Sequence, residues 1–346
     1  MGERKKELDV IRVMACMGVV VIHVAGYGME IKDPYTADWM IRNLIVSLVR
    51  CSVPIFFMIS GILFIEKEIK ISVLYKKYVA RIMVAWLTWS VLYALIDYVA
   101  YKREHKDAIA YFVLRFLSGH YHLWFLPALL IAYVCLPVLQ KIVKTLNKSE
   151  LKYICCIVGI IILFKETLNP VISNVFWNAA GKNFTGIEIP VGLLYFLLGY
   201  YLYHYRKHFS TSKCFTVYFC SCVAAAGVNA LFSLYFNQHK SMTSGYLSIW
   251  VVTASAALFI ALVNGIDTEK MQSLDTKWLK SIVDNTFGIY LIHTFFIEQV
   301  YRRVGLTQDR FPVIISVLLF SVITFLISYI AVKCIKKIPV IGEWIV

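Results

Sequence analysis

Ten stretches of roughly twenty mostly apolar residues run through this chain, and few folds can accommodate them. A helix rising about 1.5 Å per residue needs roughly twenty residues to cross a hydrocarbon core of ~30 Å. The stretches lie near 10–28, 43–65, 82–101, 122–140, 153–168, 187–205, 214–236, 246–264, 283–300 and 312–334. Only 16% of the residues are charged, where a soluble domain carries about 25%. The pattern predicts an all-α, polytopic integral membrane protein with about ten transmembrane helices. No repeat and no long linker divides it, so residues 1–346 read as a single domain.

The net charge of +14 would suit nucleic acid if the basic residues shared a face. They lie instead between the apolar runs. With the N-terminus inside, 21 of the 35 Lys and Arg fall in cytoplasmic segments and 12 in outer ones, with Arg12 and Arg50 inside spans. The positive-inside rule then places both termini in the cytoplasm, expected of a plasma or inner membrane protein. The nine cysteines fall within or beside apolar runs, with no CxxC pair, disulfide framework or zinc spacing. No metal is expected. The first apolar run lacks a small-residue cleavage site, so it reads as a retained helix.

That first run contains Arg12 and His23, in R-V-M-A-C-M-G-V-V-V-I-H. Ionisable groups in lipid are costly, which makes the pair a functional hypothesis by default. Eleven helical positions make about three turns, so both side chains share one face about 16 Å apart. A fixed cation near the inner surface and an imidazole beyond the middle suit a long, thin, partly anionic ligand. The second run holds Arg50, Pro54, Ser60 and Gly61, with Arg50 at a depth similar to His23. Pro54 frees a backbone carbonyl and Gly61 permits close helix approach. The alternative for Arg50 is snorkelling to the outer interface.

These segments resemble the membrane acyltransferase-3 family. Its L-D-x-x-R signature, followed by ten residues and then His, is matched by Leu8 to Arg12 and His23. Its R-x-x-V-P-x-F-F-x-x-S-G segment is matched by Arg50 to Gly61. His122-Leu-Trp-Phe-Leu-Pro127, Tyr195-Phe-Leu-Leu-Gly-Tyr200 and Phe287-Gly-Ile-Tyr-Leu-Ile-His293 continue the likeness. One departure falls after the second helix, where relatives often show R-x-x-R. Here Lys76-Lys77-Tyr78-Val79-Ala80-Arg81 has Tyr78 at the first Arg position, which keeps charge but loses bidentate geometry.

The resemblance implies acyl-coenzyme A as a cytoplasmic donor, with acetyl the family default. It also implies a hydroxyl-bearing acceptor outside, such as a surface polysaccharide or its lipid-linked precursor. The donor phosphates would meet Arg12, Lys76, Lys77 and Arg81 as ion pairs. The catalytic set is then His23 as general base, with Arg12 and Arg50. An acyl-histidine intermediate and a purely structural histidine are the alternatives. On the acceptor side, Arg50, Asp97, His122, Glu188 and Glu298 fall toward outer span ends, with Trp124 beside them and His293 near mid-bilayer. Carboxylates and aromatics in a surface cleft suit a sugar, although aromatic belts place Trp at interfaces anyway. Two rival functions stand beside the enzyme: a transporter of a small amino acid such as serine, and a non-catalytic partner in polysaccharide export.

Overall fold

The computed structural model describes residues 5–101, 108–168, 190–267, 276–301, 311–339 and 342–346. Among these the chain is helical throughout, with no strand. Five helices are long and apolar enough to cross a membrane: Lys6–Ile31, Ala37–Ile65, Ile71–Val99, Thr211–Phe236 and Val313–Ile335. A sixth crossing forms if Ile109–Val134 and Leu136–Thr145, bent by 53°, make one span. Among the described residues, five or six helices are thus full-length, and shorter apolar ones accompany them.

The shorter ones have local causes. Lys148–Ile162 starts at a capping box made by Asn147 and Glu150, then passes into a π-helical turn, Leu163–Leu168, that brings in Lys165 and Glu166. Val191–Tyr205 is 15 residues long and Ile249–Gly265 is 17. Thr286–Phe295 gives way to a π turn at Phe296–Val300. The 53° bend follows Cys135, where Pro137 removes the N–H that would continue the ladder. Pro54 acts similarly on the second span. Without its N–H the carbonyl of Arg50 has no partner four residues on, and the helix is interrupted at Arg50–Cys51.

Helix α1 is Lys6–Gly26, α2 Ala37–Val49, α3 Ser52–Ile65, α4 Ala80–Tyr101, α5 Ala108–Ser118 and α6 Phe125–Val134. Further along, α7 is Leu136–Thr145, α8 Lys148–Ile162, α9 Val191–Tyr205, α10 Thr211–Phe236, α11 Ile249–Gly265, α12 Thr276–Val283, α13 Thr286–Phe295 and α14 Val313–Ile335. Helices α1 and α13 run side by side in the same direction. The Cys16 thiol reaches the Thr286 carbonyl at 3.7 Å, and seven residues later on each helix the rings of His23 and His293 meet. Antiparallel α3 and α9 touch backbone to backbone. A Cβ on Gly199 would sit 2.5 Å from the Met58 Cα, and one on Gly61 would strike the Phe196 carbonyl.

Gly199→Val should therefore destabilise the bundle by about 1–3 kcal/mol or more, because backbone cannot yield as a side chain does. Gly227→Ala is the control, since its added Cβ meets nothing within 4 Å. Thermal melts of the two variants in detergent should separate them, with only Gly199→Val melting early.

Candidate functional site

Two connected cavities rise between α1, α4 and α13. The first is a vestibule of about 770 Å³ lined by Arg12, Lys76, Lys77, Arg81 and Lys336, with Asp284 and Glu343 as its acidic members. Each cation arrives from a different element, apart from the adjacent lysines. Arg12 is on α1, the two lysines on the π-helical segment Leu74–Val79, Arg81 in the first turn of α4, and Lys336 just after α14. Five cations against two carboxylates make the space attractive to anions. Arg81 also donates to the Val346 carbonyl at 3.0 Å. Burial and the neighbouring Arg81 lower the Lys336 ammonium below the ordinary lysine value, and its Nζ donates to the Asp284 carbonyl at 2.7 Å.

Arg12, Arg81, Thr286 and Phe287 also line the second cavity, about 270 Å³ and largely apolar. Val19, Val53, Phe56, Phe125, Tyr133 and Tyr290 contribute to its walls. Tyr78, the departure from the family's R-x-x-R, turns out to be wall. Its ring packs at right angles on Phe64, 5.0 Å between centroids, and its hydroxyl accepts from Lys67 at 3.1 Å. Along α1 the order is Arg12 at the shared rim, Val19 in the apolar wall, and His23 one turn further.

Beyond Tyr290 lies a cluster of histidines. The His23 ring is 4.9 Å from His293, 6.3 Å from His122 and 5.4 Å from Tyr121, centroid to centroid. His120 joins them through a 2.7 Å contact between its Nδ1 and that of His122. Both come from the short 3-10 segment that follows α5. Gly119 turns the chain into it with φ +68°, a left-handed conformation in which a side chain would be strained. Tyr93 and Tyr290 tie this segment to α13. The Tyr93 hydroxyl donates to the Leu291 carbonyl at 2.9 Å, and the Tyr290 hydroxyl donates to the His122 carbonyl.

The hydrogen-bond partners assign the protons. The Leu291 carbonyl only accepts, so His122 Nε2, 3.3 Å away, carries a hydrogen. The contact between His120 and His122 needs a second, and His120 Nε2 to Glu298 Oε2 at 3.2 Å needs a third. Two neutral imidazoles and a carboxylate supply only two. The three contacts thus call for one hydrogen more than the two neutral rings and the carboxylate carry. The Tyr121 ring packs on His120 at 4.6 Å between centroids. Among the described residues no set of His, Cys, Asp or Glu has the geometry of a metal site.

The sequence-derived residues thus fall into four places. Arg12, Lys76, Lys77 and Arg81 share the vestibule, while His23, His122, His293 and Glu298 share the cluster. Both ring nitrogens of His122 make contacts within the cluster. Arg50 stands one layer away, donating to the Ser244 carbonyl at 2.7 Å with its guanidinium 4.2 Å over Tyr246. Trp124 stacks on the same Tyr246 at 4.8 Å. Asp97 is outside the cluster, its carboxylate bound by Arg115 at 2.6 and 2.7 Å. Glu188 lies outside the described residues. Sequence reasoning passed over His120, Tyr121 and Lys336. The His-Tyr-His triplet at 120–122 was the one available signal for the first two.

The family model described as an acyltransferase domain matches residues 5–333, from just ahead of α1 to the end of α14. The chain belongs to the acyltransferase-3 family. This acyltransferase-3 protein shows no match among curated proteins or among solved structures. Family membership and the apolar helices together make it a multi-pass membrane acyltransferase. Vestibule, apolar cavity and histidine cluster all lie within the matched residues, save for Lys336, Glu343 and Trp344 at the vestibule rim.

Proposed function

We propose that this acyltransferase moves an acetyl group from cytoplasmic acetyl-coenzyme A to a hydroxyl of an extracytoplasmic glycan or its lipid-linked precursor. One observation carries the reading. A basic vestibule opens into an apolar cavity along a single face of α1, from Arg12 to Val19, one turn short of His23. The nucleotide phosphates suit the vestibule, where charge-assisted hydrogen bonds hold them. The pantetheine arm suits the apolar cavity and carries the thioester toward His23.

At that point His23 removes the acceptor hydroxyl proton as the oxygen attacks the thioester carbonyl. The carbon–sulfur bond breaks, and the proton leaves on sulfur as the free thiol. Arg50 is within electrostatic reach of His23 and steadies charge that develops on the carbonyl oxygen. Tyr121, with its exposed ring, and Glu298 line the approach from the other face. The Lys and Arg bias between spans supports the vestibule as the cytoplasmic side.

The decisive measurement is a mass comparison of surface glycans from cells with and without this gene. The expected result is an acyl mass on a glycan of the intact strain that disappears with the gene and returns on complementation. Unchanged glycans, with uptake of a labelled amino acid into proteoliposomes and no thioester cleavage, would replace the enzyme by a transporter.

A further inference from the structure

One fully buried ring nitrogen of the histidine cluster has no hydrogen-bond partner. Nδ1 of His293 lies 2.7 Å from the Tyr290 carbonyl, which only accepts, so this nitrogen carries the ring hydrogen. A neutral ring then has its lone pair on Nε2. That atom is buried and has no hydrogen-bond partner, and His293 as a whole is 0% exposed. Orphaned buried polar atoms are rare in folded proteins, and each calls for an occupant.

The ring beside it is His23, centroids 4.9 Å apart and planes inclined by 50°. The His23 ring makes no hydrogen bond with the other described residues, and unlike His293 it is only partly buried. A neutral His23 has one N–H to give and one lone pair to keep. His120 and His122 are not alternative acceptors, because their nitrogens are committed to each other, to Glu298 and to Leu291. The parallel register of α1 and α13 sets the two rings at one height without help from a loop.

We propose that His293 is the positioning residue for His23: its Nε2 accepts the His23 N–H and so turns the other His23 nitrogen toward the acceptor hydroxyl. This inference rests on the acyl-transfer reading of the site. A base held through its second nitrogen by a fixed acceptor is the arrangement that makes imidazole effective in acyl transfer. Here a neutral imidazole of fixed tautomer takes the part that a carboxylate plays elsewhere. When His23 gains the acceptor proton, its second N–H is already bonded, so no reorientation is needed.

The test compares His293→Gln, whose amide oxygen still accepts a hydrogen bond, with His293→Phe, which keeps a ring and accepts none. Native membrane vesicles, which hold the acceptor, receive radiolabelled acetyl-coenzyme A. The purified variants are checked for melting temperature and coenzyme A binding. The expected result is a kcat loss of about 100-fold or more in His293→Phe, with donor KM nearly unchanged and most of the loss recovered in His293→Gln. Equal losses in the two variants, or lost coenzyme A binding in both, mark a packing role and overturn the proposal. So does a His293→Phe protein with wild-type kcat. A wild-type protein that binds donor and never transfers it would instead overturn the acyltransferase reading itself.

Discussion

His23→Ala should lower acyl transfer by about 10²–10⁴-fold, the usual contribution of a positioned general base. Donor binding should survive, because the vestibule proposed for the nucleotide lies about three turns away along α1. Coenzyme A titration of the purified variant measures the first half of that expectation, and label transfer in native vesicles measures the second. Full turnover in His23→Ala would remove this histidine from the chemistry. Loss of donor binding together with turnover would mean that the substitution had collapsed the cluster, a result that melting curves would show.

Arg12→Ala carries the second large effect, on the donor alone. A hydrogen bond to a charged group is worth about 1.5–3 kcal/mol, which is roughly 10- to 100-fold in Kd. Arg12 lines both the vestibule and the apolar cavity, so in the proposed donor pose it stands where the nucleotide would give way to the arm. The expected outcome is a raised Kd for coenzyme A, with kcat little changed at saturating donor. Arg12→Lys should recover part of the affinity, since it restores charge without the planar fork. Lys144→Ala is the control. Its partner Glu68 is exposed and neither residue lines the vestibule, so removing that ion pair should leave donor binding unchanged.

The one-face relation of Arg12 and His23 was legible because it depends on helical periodicity alone. Gly61 as a close-packing residue was legible for a similar reason, since only a small residue lets backbones touch. The lengths and bends of the individual helices were not. Pro137, Gly265 and the π turns at Leu163–Leu168 and Phe296–Val300 shorten or bend helices that hydropathy alone reads as complete. The pairing of Asp97 with Arg115 was not legible either, because Arg115 lies on the next helix and meets the carboxylate only after the chain folds back.

The sequence by itself determined that the chain is helical and membrane-bound, and that a cation and an imidazole lie along one face of its first helix. Those conclusions need only local information: the 3.6-residue period, the cost of charge in lipid, and the spacing of apolar runs. Only the tertiary structure decided which histidines meet. His23, His120 and His293 come from segments far apart in the chain, and no local period relates them. The packing of α1 beside α13 and the turn at Gly119 bring them together, and that meeting leaves Nε2 of His293 buried without a hydrogen-bond partner in a ring packed against His23.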